Sequence, residues 1–173
     1  MINLFKKAYT AKEMQVFRFL EGVNLFKALN HSEMYIFLSH LYLRKYKRDE
    51  AVFFRGDPSN ALYLVIDGEV SLTIDVNGSL EALTVAKQLM AFGDNALLKG
   101  TTRIYNSVVT SETAQLYVLP RVNIQEIFAE RPRIQAKMLN AFAETYNEYT
   151  ESLFHAYRDA QGFFSLSNAY QKE

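Results

Sequence analysis

The chain predicts an α+β fold, a β-barrel or jelly roll of about eight strands with helices before it and one long helix after it. Two observations carry this. Between Leu43 and Leu119 apolar residues recur largely at a period of two, cut at nearly regular intervals by turns bearing Gly and Asp. Short strands at such spacing belong to all-β sandwiches and barrels. On either side the period is helical, and after Pro132 no Gly or Pro occurs until Gly162, room for about eight helical turns.

The elements follow in order. Thr10-Ala-Lys-Glu13 has the spacing of a capping box, and Met14, Phe17, Phe19, Leu20 and Val23 supply a helical apolar face behind it. Leu25, Phe26 and Leu29 make a short apolar turn. Asn30-His31-Ser32-Glu33 restarts a helix carrying Met34, Ile36, Phe37, Leu38 and Leu41. Strands are expected around Leu43–Tyr46, at Val52-Phe53-Phe54 and over Ala61–Ile66, the last closed by the hairpin signal Asp67-Gly68. Val70, Leu72, Ile74 and Val76 alternate with Ser71, Thr73 and Asp75 up to Asn77-Gly78. Further strands fall at Ala82–Val85, Leu89–Phe92, Ser107–Thr110 and Gln115–Leu119. Helix returns after Pro120, and Pro132 suits the first turn of the long helix. The organisation is N-terminal helices over 1–42, barrel over 43–120 and helical region over 121–173, in one structural domain.

Bulk properties narrow the function. At 173 residues, 49% hydrophobic and 14% aromatic, the chain can bury a core. Lys and Arg number 19, and so do Asp and Glu, so the basic excess typical of phosphate neutralisation is missing. Without cysteine there are no disulfides, thiolates or Cys-based zinc sites. Met1 to Phe17 has no signal-peptide pattern, and no stretch reaches a membrane span. A cytoplasmic protein with no membrane contact is expected. The basic run Arg44-Lys45-Tyr46-Lys47-Arg48 reads as a solvated strand face. His31, His40 and His155 all fall in helical segments with no ligand spacing, so no metal site is expected. No P-loop, nucleophile elbow or paired carboxylates occur, so no catalytic residues are assigned and no enzyme is expected.

The most informative stretch is Phe92-Gly93-Asp94-Asn95-Ala96-Leu97-Leu98, followed by Arg103. A short helical turn after Gly93 offers free N–H groups and a positive dipole end to an anion. An acid beside the glycine can accept from a sugar hydroxyl, and an arginine can meet phosphate oxygens in pairs. A plain structural role is also open, Asp94 as a helix cap and Arg103 as a solvated loop charge.

Together with Leu25–Leu29 and with Val52 to Val70, whose turns use Gly56 and Gly68, this stretch resembles the cyclic-nucleotide-binding domain family, catabolite-activator-like sensor domains included. The resemblance runs from about Phe19 to about Leu153. It implies a phosphate-binding cassette at Gly93, Asp94, Asn95 and Ala96, with cAMP or cGMP as ligand and no other cofactor. Arg103 is the implied phosphate contact; in the catabolite-activator spacing that position falls at Ile104. Two departures stand out: the cassette acid is Asp94 where the family uses Glu, and Ile104, Tyr105 and Asn106 replace the small residues that follow the arginine. Tyr105 is long enough to fill the phosphate site itself. Counted from Pro132, Thr150 falls at a base-contacting position of that family.

Along the last helix, Leu139, Phe142, Tyr146, Tyr149, Leu153, Ala156, Ala160 and Phe163 step by threes and fours, a heptad seam. With the resemblance, it implies a parallel homodimer. Too few residues follow for a helix-turn-helix, so no DNA contact is expected. Two functions stay open: a working cyclic-nucleotide sensor with output through the long helix, or a closed-pocket dimeric adaptor signalling through a protein partner. The bulk at Ile104-Tyr105-Asn106 separates them.

Overall fold

A computed structural model describes residues 8–161, the side chains of Ala160 and Gln161 excepted. Helix α1, Ala11–Gly22, starts at the Thr10 capping box, with both reciprocal bonds formed. Helix α2, His31–Phe37, starts at a second capping box between Asn30 and Glu33. It is shorter than the sequence suggested. Leu38–His40 tightens into a 3₁₀ turn and Leu41 is already extended, because the chain must swing into the first strand. Leu38 and Leu41 therefore belong to the connection.

Eight strands form two four-stranded antiparallel sheets rather than a closed barrel. One sheet has the order β1 (Tyr42–Lys47), β8 (Thr113–Pro120), β3 (Ala61–Asp67) and β6 (Ala91–Phe92). The other runs β2 (Ala51–Phe53), β7 (Asn106–Val109), β4 (Val70–Val76) and β5 (Ser79–Ala86). Helices cover the outer face of the first sheet. Strand β3 is therefore buried on both faces, which explains its unbroken apolar run: Leu62 and Leu64 join the helical core and Val65 joins the interior between the sheets. Strand β4 is covered on one face only. Val70 and Leu72 are buried, while Val76 is exposed where the β4–β5 hairpin extends into solvent. Strand β6 is short because Leu89 sits at a positive φ of 67° and turns the chain just before it.

Helix α3, Arg121–Glu130, leads to α4, Pro132–Gln161, a single helix of 30 residues. The residues burying α4 against its own domain are Ile134, Met138 and Ala141, one face at helical spacing. Lys137 pairs with Glu33 of α2 at 2.7 Å, and Asn24 donates to Thr145 at 2.6 Å. The seam predicted from sequence is divided by this packing. Leu139 and Phe142 pack against the domain's own core, whereas Tyr149, Leu153 and Ala156 are exposed. The Ala160 side chain and Phe163 lie outside the described residues.

Candidate functional site

Strand β6 delivers the chain to Gly93, since Phe92 pairs with Tyr63 of β3. Gly93 has φ of +67°, and a Cβ there would lie 2.5 Å from Arg103 Nη1. Both the left-handed backbone and the close approach require glycine. Asp94–Leu97 then forms a 3₁₀ turn held on the domain by Gln125 of α3, whose amide donates to Leu97 O at 3.1 Å.

The loop carrying Arg103 is clamped at its backbone. Arg103 N donates to Asp57 O at 2.8 Å, Gly56 N to Arg103 O at 2.9 Å, and Ser59 N to Thr101 O at 3.0 Å. The Gly56-Asp57-Pro58 turn thereby fixes where the arginine enters the sandwich. Its side chain turns inward and is 3% exposed, so it is not a solvated loop charge. Nη1 donates to Gly93 O at 2.9 Å and to Asn95 Oδ1 at 3.3 Å, and Nη2 donates to Ala61 O at 2.7 Å. The guanidinium carbon lies 4.0 Å from the Phe53 ring centre and 5.5 Å from that of Tyr63, a cation–π placement. Phe53 is the hub of an aromatic box, with Tyr63, Phe92 and Tyr105 at ring separations of 5.6, 5.9 and 5.7 Å. Burial pulls the guanidinium below its ordinary value, against the pull of the Tyr63 and Tyr105 hydroxyls and Asp57.

Tyr105 joins the same cluster. Its hydroxyl accepts the Gly93 N–H at 2.8 Å, and burial raises its pKa. Asp94 is the first residue of the 3₁₀ turn, and Gly93 is its N-cap. Asp94 receives the Tyr146 hydroxyl of α4 at 3.4 Å, a long contact. Burial raises the Asp94 carboxyl, opposed by its own and Asn95's N–H groups, the Tyr146 hydroxyl and Arg103. Asn95 is a polar joint: its Oδ1 takes the Ser59 hydroxyl at 2.6 Å and its Nδ2 donates to Thr102 O at 2.6 Å. Ala96 is fully buried.

Of the residues singled out in sequence, Gly93, Asp94, Asn95, Ala96, Arg103 and Tyr105 converge at this site. Ile104 is 58% exposed and points away from the box. Thr150 is exposed, its hydroxyl donating to Tyr146 O of its own helix at 2.7 Å. The residues missed are Phe53, Tyr63, Ser59 and the carbonyl of Ala61. Parity offered a signal for Tyr63, two residues from inward-facing Val65 on one strand; nothing local marked the carbonyl. Among the described residues, no three of His, Asp and Glu converge as metal ligands, and no helix is long and apolar enough to cross a membrane.

Relatives agree with this architecture. The chain is 33% identical over 107 residues to the global nitrogen regulator of Synechococcus elongatus, covering 60% of this chain and 47% of that one. It is 27% identical over 130 residues to the cyclic AMP receptor protein of Thermus thermophilus, covering 75% and 60%. It thus spans about half the length of these curated relatives. The solved catabolite activator protein of Thermus thermophilus superposes with a TM-score of 0.66 at 25% identity, over 77% of this chain and 62% of that chain. The family model of the cyclic nucleotide-binding domain matches residues 43–131, a span that runs from β1 through the hairpin, the Gly93 turn and Arg103 into α3. On that match the chain belongs to the cyclic nucleotide-binding domain family.

Proposed function

We propose that this chain is a non-enzymatic regulatory domain that signals through a protein partner, its nucleotide pocket closed by its own side chains. One observation carries this: the donors a cyclic phosphate would need are already engaged, Gly93 N–H by the Tyr105 hydroxyl and Arg103 by the carbonyls of Gly93 and Ala61. A ligand must displace these bonds inside a buried box, so the contacts it makes are offset in part by those it breaks. The coupling of Asp94 to Tyr146 gives the cassette a direct link to α4, the route by which a partner bound at either end would influence the other.

A working cAMP or cGMP sensor is favoured by a different observation. Arg103 is a buried cation with no ion pair among the described residues, and its Nε has no hydrogen-bond partner. Buried charges are ordinarily paired, and a cyclic phosphate would supply the missing anion. Asp94 would then take the ribose hydroxyl, Arg103 and the cassette N–H groups the phosphate, and Tyr105 would have to swing out. Binding switches the domain only if ligand favours one position of α4 over another.

Calorimetry of the purified chain with cAMP and with cGMP separates the two. No heat at millimolar ligand is expected. Micromolar binding that disappears in Arg103→Lys, with circular dichroism unchanged, would replace the closed-pocket function with the sensor. The exposed Tyr149, Leu153 and Ala156 ridge supports a homodimer through α4. Sedimentation should show a dimer that Leu153→Glu converts to monomer; a monomeric parent protein would end that part of the proposal.

A further inference from the structure

Strand β1 is the edge of its sheet, hydrogen-bonded to β8 on one side only. Arg48 N donates to Glu112 O, and antiparallel alternation then turns the backbones of Tyr42, Arg44 and Tyr46 toward β8. The N–H and C=O groups of Leu43, Lys45 and Lys47 face the open edge. Those of Lys47 are already met by Glu50, whose carboxylate accepts the N–H and whose own N–H binds the C=O. Leu43 and Lys45 remain available for pairing with another strand. The side chains divide as well. Tyr46 packs toward the interior between the sheets, so Leu43, Lys45 and Lys47 lie in line on the outer face, about 7 Å apart.

At one end of that line lies a groove of about 540 Å³, its apolar lining formed by Val16, Leu38, Leu41, Leu43 and Tyr117, with Lys12 and Glu13 on its polar side. Along the strand, Arg44, Lys45, Lys47 and Arg48 make no ion pair with any described residue, and neither does Lys12. Asp49 and Glu50 sit in the following turn, Glu50 committed to the Lys47 backbone, and Glu13 is held in the α1 capping box. An apolar groove thus continues directly into a row of unpaired cations beside a free backbone edge.

We propose that β1 and this groove dock an extended acidic segment of a protein partner, added as a further strand to the sheet. The partner's face would carry one apolar residue for the groove, then acidic residues at every second position for Lys45 and Lys47. Main-chain pairing supplies affinity and the alternate side chains supply selectivity. A second copy of β1 would set cations against cations. The chain's own Met1–Lys7 carries Lys6 and Lys7 and no acid, so it mismatches the row in the same way. The docking site deepens the protein-partner function proposed above and rests on it.

Fluorescence anisotropy of the full chain tests this with three labelled decapeptides: one containing Leu-Thr-Glu-Thr-Glu, one containing Leu-Thr-Lys-Thr-Lys, and a scrambled acidic control. The acidic alternating peptide should bind and the others should not. The double variant Lys45→Glu, Lys47→Glu should weaken it at least about tenfold, a difference of roughly 1.4 kcal/mol, and should gain binding of the lysine peptide. That charge-swap rescue also shows the variant is folded. The amide resonances of Leu43 and Lys45 should shift in the acidic complex. Equal binding of the acidic and scrambled peptides, or no effect of the double variant, overturns this site while leaving a partner elsewhere on the domain. Lys45- and Lys47-dependent binding to phosphatidylserine vesicles without peptide binding would assign the row to a lipid surface and overturn it too, as would self-association lost in the double variant. Nucleotide calorimetry on the same variant should match the parent protein, so failure here is distinguishable from failure of the closed pocket.

Discussion

Removing the Tyr105 hydroxyl asks directly whether the cassette is held shut from within. In Tyr105→Phe the ring keeps its place 5.7 Å from Phe53, and only the acceptor 2.8 Å from Gly93 N is lost. Gly93 is buried, so its N–H loses that partner where solvent does not readily replace it. A buried unsatisfied donor costs about 1–3 kcal/mol, and at 2 kcal/mol the melting temperature of a chain this long falls by roughly 4–8 °C. The assay is urea unfolding followed by far-ultraviolet circular dichroism, since the chain has no tryptophan. The midpoint should fall with the slope unchanged, which marks a change in stability rather than compactness. Tyr105→Ala, which also empties the ring's place in the aromatic box, should cost about 3–5 kcal/mol, and the difference isolates the ring. Tyr105→Phe unfolding within about 0.5 kcal/mol of the parent, the ordinary scatter of surface changes, would refute the role given to the hydroxyl.

Gly93→Ala should destabilise by more than about 2 kcal/mol in the same titration, because the left-handed backbone alone costs roughly 1–2 kcal/mol and the new Cβ lies 2.5 Å from Arg103 Nη1. Asp94→Asn should stabilise the fold. Burial raises the Asp94 carboxyl in the folded state, so its contribution becomes unfavourable as pH rises through and above the ordinary carboxylate range. The variant's advantage should therefore be present at neutral pH and vanish in acid; an advantage independent of pH would exclude charge as the cause. Glu33 has the opposite sign. Burial raises its carboxyl, but hydrogen bonds from Lys137 and the Asn30 amide, with the charges of Lys137 and Arg133, outweigh this and leave it lowered. The stability it contributes is present above the ordinary carboxylate value and is lost as pH falls through its lowered folded value, a loss Glu33→Gln should abolish in acid titrations.

The sequence by itself determined the elements, their order and the location of the site. Period, capping boxes and Gly-Asp turns are local properties: each depends on residues within a few positions, and Thr10-Glu13 and Asn30-Glu33 mark helix starts for that reason. Asp67-Gly68 does turn the chain, but it closes no hairpin, because β3 and β4 lie in different sheets, and which strands pair is decided by tertiary packing. The cassette was legible because its glycine, acid and arginine lie close together in the chain. The bulk of Tyr105 was legible too, since it stands two residues after the arginine. Tertiary structure decided what local pattern could not. The acceptors of Arg103 include the Ala61 carbonyl, 42 residues away, and every residue has a carbonyl, so no side-chain pattern marks that one. The heptad seam looked uniform because periodicity reports a helix face without naming what covers it. Packing gave Leu139 and Phe142 to the domain's own core and left Tyr149 and Leu153 exposed. The basic run at Arg44–Arg48 likewise read as an ordinary solvated strand. Only the sheet order made it an open edge, and only the fold set it beside an apolar groove built from α1, the connection after α2, and β8.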